Sequence, residues 1–183
     1  MKWTLMALYF FCAMSFAQSD DINSVFGLPV GGALPSELNA KLRKDNQYPT
    51  QLLYVPLLAE NDQFPFEDVR IQLIDSSKKI YSIQGEYNFN DGDECLAEVQ
   101  RLVRYFDLRY KGQKVISNST IDGVELVHFD GYLSKSGHRK LEVYCASENP
   151  EDRAKKLFVS IWDKELATEA EALWDEVHKT LKN

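Results

Sequence analysis

Apolar residues along this chain recur at two different periods. In VRIQLID, Val69, Ile71 and Leu73 alternate with Arg70 and Gln72, the period of a strand with one buried face. The turn residues SSKK follow, and IYSIQGEYNF returns as a second strand, which predicts a hairpin. From Cys95 the period changes. Cys95, Val99, Leu102, Val103, Phe106 and Tyr110 lie on one stripe of a helix that opens at Asp91-Gly92-Asp93-Glu94 and stops at Gly112. Acids at its start and Arg101, Arg104, Arg109 and Lys111 toward its end suit the helix dipole.

Around this centre the pattern predicts further elements. Ser36–Lys44 reads as a short helix capped by Ser36, and QLLYVPL as a strand that Pro56 places at a sheet edge. KVISNST, GVELVHFDGYL and RKLEVYCAS read as three strands, and KLFVSIW as the last. A final helix begins near Asp163 with Leu166, Ala170, Leu173, Trp174, Val177 and Leu181 on one face. Those six positions have the same offsets as the six of the first helix. Each helix also follows a strand with a similar start, KKIYSI and KKLFVSI. A duplicated hairpin–helix unit would explain both matches, and so would two amphipathic helices on one sheet. The expected fold is α+β, an antiparallel sheet of five to seven strands with both helices on one face.

The N-terminus changes the picture. Lys2 precedes an uncharged run from Trp3 to Phe16, and Ser15-Phe16-Ala17 places small residues at the −3 and −1 positions of a cleavage site. Residues 1–17 are therefore expected to be a signal peptide, and 18–183 a single exported domain, in the periplasm or outside the cell. The run is short for a membrane span, and no later stretch approaches one. Loss of Lys2 takes the net charge from −7 to −8. Acidity of that size disfavours nucleic acid and anionic membrane surfaces, and favours a basic protein partner.

Two cysteines remain after cleavage. Cys95 sits on the apolar stripe of the first helix, and Cys145 alternates with Leu141 and Val143 along LEVYCA. An even pair in an exported chain implies a disulfide that pins the helix's first turn to a core strand. No CxxC and no histidine at ligand spacing argues for a redox or metal role.

Candidate chemistry is thin. FGLPVGG has no Gly-Lys-Ser/Thr ending, so Gly27, Gly31 and Gly32 are expected to shape backbone, with Phe26 and Leu28 turned into the core. NFNDGDE is rich in oxygen ligands but departs from the calcium-loop pattern, and a turn before an acidic helix start accounts for it. No metal or cofactor is expected. His128, His138 and His178 stand apart in sequence, and neither Ser136 nor any other serine lies in a nucleophile elbow. Asn118-Ser119-Thr120 matches a glycosylation acceptor, which matters only in a eukaryotic chain. One loop, AENDQFPFED, is rich in recognition residues. Phe64 and Phe66 would anchor a basic partner while Glu60, Asp62, Glu67 and Asp68 steer it, unless both rings fold back on the sheet.

FGLPVGG, DVRIQLIDSSKKIYSIQGEYNF and a helix that begins near a cysteine and ends YKG together resemble small exported bacterial α+β proteins of unassigned function. The resemblance implies a bacterial envelope setting and no activity. The expected function is non-catalytic binding of another protein, as by an inhibitor or a toxin-immunity protein. A lipid- or small-ligand-binding envelope protein and a hydrolase with an unrecognised site are the alternatives.

Overall fold

A computed structural model describes residues 21–42, 48–57, 64–110, 114–116, 120–121, 124–125, 128–146 and 155–181. The expected signal peptide, Glu60, Asp62 and Asn118 lie outside these residues, as do the side chains of 115–130.

The chain enters through a two-residue hairpin, β1 (Ser24–Val25) and β2 (Leu28–Pro29). Its turn, Phe26-Gly27, has positive φ at both positions, 57° and 75°, as a tight hairpin requires. A phenylalanine rarely adopts that conformation. Here its ring is held edge-on against Phe64 (4.6 Å) and Phe66 (5.2 Å), which offsets the backbone cost. The segment then bonds to the start of β5 (Ile80–Asn88), with Gly31 N donating to Ile80 O and Ile80 N to Gly32 O. Ser36–Lys41 forms a 3-10 helix with no side-chain cap, instead of the Ser36-capped α-helix expected. Pro35, at the capping position, offers no side-chain acceptor.

The main sheet has seven antiparallel strands: β3 (Thr50–Pro56), β4 (Asp68–Ile74), β5, β11 (Lys156–Asp163), β10 (Arg139–Ala146), β9 (His128–Leu133) and β6 (Lys114–Ile116), in that order. The proline-ended strand β3 is at an edge, as its sequence indicates. KVISNST and GVELVHFDGYL each divide in two. Thr120–Ile121 (β7) and Val124–Glu125 (β8) leave the main sheet and pair with each other.

Helix α1 (Gly92–Arg109) packs on one face of this sheet, called inner. Val69, Ile71, Leu73, Ile83, Leu141, Val143, Leu157, Val159 and Ile161 supply the sheet side of the core, and the whole predicted stripe of α1 is buried against it. Asp91 starts the helix by accepting a hydrogen bond from Asp93 N (3.1 Å). The Tyr132 hydroxyl, buried beneath the helix, donates to Asp107 Oδ1 (2.9 Å). Cys95 and Cys145 are bonded across the interface, with Cα atoms 6.2 Å apart.

Helix α2 (Lys164–Leu181) does not share that face, a correction to the expected one-sided packing. Leu166 and Ala170 pack on Ile74, Tyr81 and Leu173, a cluster separate from the main core. Ile74 follows inner-facing Leu73, so it points to the outer side. Trp174 Nε1 donates to Thr50 Oγ1 (3.1 Å), and Thr50 pairs with Ile74. The helix thus starts at β11 without a loop, crosses over β5 and β4, and reaches β3. Its first turn is capped by Asp163, whose Oδ1 accepts from Leu166 N (3.2 Å) while Oδ2 holds Arg139 Nε (3.2 Å). Gly31 lies against this pair, and a Cβ there would sit 2.6 Å from Arg139 Nη2.

This arrangement also bears on duplication. The strand order 3-4-5 then 11-10-9 has the symmetry a repeat would produce, with β5 and β11 paired at its centre. Antiparallel neighbours are related by a two-fold perpendicular to the sheet, which keeps each element on its own face. Two helices on opposite faces are not related by that axis. The two-fold relation thus extends over the six strands and not over the two helices.

Candidate functional site

The expected aromatic anchors are placed first. Phe66 is 5 % exposed and belongs to the main core. Phe64 is partly buried against it, stacked on Phe66 (5.5 Å) and edge-on to Tyr105 (6.1 Å). Both rings fold back onto the sheet, so they are not exposed anchors. Glu67 and Asp68 are exposed at the start of β4. Gly85 carried the missing signal. A Cβ there would lie 2.3 Å from the Phe66 ring, so the glycine leaves a socket in β5 that Phe66 fills.

The sheet's outer face offers a different surface. Beyond the strip under α2, alternate residues of five strands form cross-strand rows. One row runs Leu52, Gln72, Ser82, Trp162, Lys140, and the next Tyr54, Arg70, Gln84, Ser160, Glu142. A third sets Glu86, Phe158 and Tyr144 side by side. Where the inner face is closed and apolar, this one is half-open and mixed. Leu52 is 50 % and Tyr54 60 % exposed.

Its side chains hold one another in place. Arg70 Nη2 donates to Gln84 Oε1, and Lys140 pairs with Glu142. Tyr144 stacks on Phe158 (5.1 Å), with the Lys156 ammonium 5.4 Å from the Phe158 ring centre. Lys140 lies over Trp162 on the same side. Burial, and then the Glu142 carboxylate, push the Tyr144 hydroxyl up to about 12, so it remains a neutral donor.

Other candidates do not assemble in the same way. His138 Nδ1 meets Glu165 Oε1 at 2.8 Å, a pair with both side chains well exposed. Ser136 Oγ contacts Ser134 Oγ (3.0 Å) and accepts from the His138 backbone N–H (3.5 Å) rather than from its ring. The result is a stabilised turn. His178 is exposed beside Trp174. Among the described residues no three His, Cys, Asp or Glu side chains form a metal-holding group, and no helix is long and apolar enough to cross a membrane.

Compared with family models, curated proteins and solved structures, the chain matches none. The outer face was hard to find in sequence because Tyr54, Tyr144, Phe158 and Trp162 are spread over 109 positions. Alternation identifies them as facing away from the core residues, and only strand order makes them neighbours.

Proposed function

We propose that this is an exported, non-catalytic protein that binds another protein, the class that includes inhibitors and toxin-immunity proteins. The observation that carries the reading is the outer face. Aromatic rings and hydrogen-bonding side chains, fixed by mutual contacts, stand half-exposed on rigid strands. Such surfaces combine large anchors with little conformational entropy to lose on binding. The N-terminal pattern and the Cys95–Cys145 bridge support an oxidising compartment. The acidic chain, with Glu67, Asp68 and Glu86 exposed around the rings, favours a basic partner steered by charge.

The test is capture from envelope and culture extracts with the exported protein, read by mass spectrometry beside a Tyr144→Ala bait. A specific partner should be retained by the native protein and lost by at least about tenfold on the variant, whose melting is checked separately. A partner held equally by a folded variant would move the site elsewhere. Absence of any specific partner, with the fold intact, would overturn the binding reading.

A further inference from the structure

Strand β3 ends the main sheet, and two bonds fix the direction of its backbone groups. Leu57 N donates to Glu67 O (2.8 Å), and Asp75 N donates to Pro49 O (2.8 Å). Residues 51, 53, 55 and 57 therefore direct their N–H and C=O toward β4, as Pro49 does its C=O. By alternation, those of Leu52 and Tyr54 point outward. Neither residue has a backbone partner on that side among the described residues. Pro56 also faces outward, where its missing N–H costs no bond within the sheet.

We infer that β3 is a homodimer edge, at which two copies pair antiparallel about a two-fold axis at Leu53. This goes beyond the proposed partner binding and does not depend on it. The register is self-complementary. It sets Leu52 opposite Tyr54 of the second copy, and Tyr54 opposite its Leu52, each pair exchanging two backbone hydrogen bonds and joining apolar side chains. The strand TQLLYVP carries no charge, so no like charges oppose each other there.

Charge complementarity at the ends selects a second copy over another strand. Helix α2 crosses the outer face from β11 to β3 and meets it at Thr50 through Trp174. Seven residues follow Trp174, about 10 Å of helix, so its line continues past the β3 edge. Its last turn is basic, with His178 and Lys179, and Leu181 is 78 % exposed. In the paired register Thr50 lies opposite Pro56 of the second copy, and Pro56 neighbours Asp68 on β4. Two strand spacings, again about 10 Å, separate Thr50 from that Asp68. The basic helix end of each copy thus falls over Glu67 and Asp68 of the other. The axis is perpendicular to the sheet, so both outer faces open on the same side.

Sedimentation of the exported protein from micromolar to millimolar concentration tests this. A reversible monomer–dimer equilibrium is expected. Tyr54→Glu, a change at an exposed site that leaves melting intact, should weaken it by at least about tenfold. Asp68→Lys and Lys179→Glu should each weaken it, and the chain carrying both should recover most of the loss, because the pair is re-formed with reversed sign. A monomer at all concentrations would overturn the inference. So would a dimer indifferent to Tyr54→Glu, or a double variant no stronger than the weaker single one.

Discussion

The two helices have apolar residues at identical offsets, yet the sheet treats them differently. In α1 the six positions from Cys95 to Tyr110 are all buried. In α2 burial fades along the helix: Leu166 and Ala170 are covered, Leu173, Trp174 and Val177 are half-exposed, and Leu181 is open. The difference comes from direction and area. Helix α1 lies over the central strands β11 and β10 and is tied there by a disulfide. Helix α2 crosses one end of the outer face and runs off at β3. A stripe of given width therefore reports a helix's capacity for burial, while the underlying surface decides how much is used.

Removing the bridge should have the largest effect on this contrast. With the cysteines 50 positions apart, replacing both by serine should cost about 4 kcal/mol in the chain-entropy model. Denaturant unfolding measures it. Loss of well under about 1 kcal/mol would mean that packing alone holds α1 on the sheet.

Matched truncations sharpen the comparison. Leu102 and Leu173 occupy the same offset on the two helices. Leu102→Ala opens a cavity in a closed core and should cost about 3 kcal/mol, whereas Leu173→Ala should cost about 1 kcal/mol or less, since its site is already wet. Equal losses would break the distinction between a dry inner face and a partial outer one.

The smallest effect is one of pH on the outer face. Tyr144 holds its proton to about 12 in the folded chain, against an ordinary 10 when unfolded. The stability this contributes is complete below pH 10 and is lost as pH rises toward 12, because the unfolded chain releases the proton first. Tyr144→Phe should flatten that fall in an alkaline unfolding series. An unchanged slope would show that the hydroxyl is as solvated as in the unfolded chain.

Much of the fold was legible because it depends on neighbours in sequence. The VRIQLID hairpin, the helix from Asp91, the edge placement of the proline-bearing strand and the Cys95–Cys145 pairing all follow from period, turn residues and parity. Short range is also where reading failed at Ser36, which lies inside a 3-10 turn that Pro35 opens. Phe64 and Phe66 were legible as aromatic, with contact to a partner and packing on the sheet both open to them. The burial of Phe66 depends on Gly85, some twenty residues away, leaving space on the next strand but one in sequence.

The amino-acid sequence by itself determined the main strands and both long helices, the buried side of those strands and the charge balance of each helix. These arise from periodicity and dipoles that act within a few residues. Tertiary structure alone decided that α2 crosses the outer face, that Tyr54, Tyr144, Phe158 and Trp162 share one surface, and that β3 ends the main sheet. Each depends on strand order and on which side the chain takes as it leaves a strand. An amphipathic helix buries its stripe equally well on either face of a sheet, so local pattern cannot distinguish the two, and the space left by the rest of the chain does.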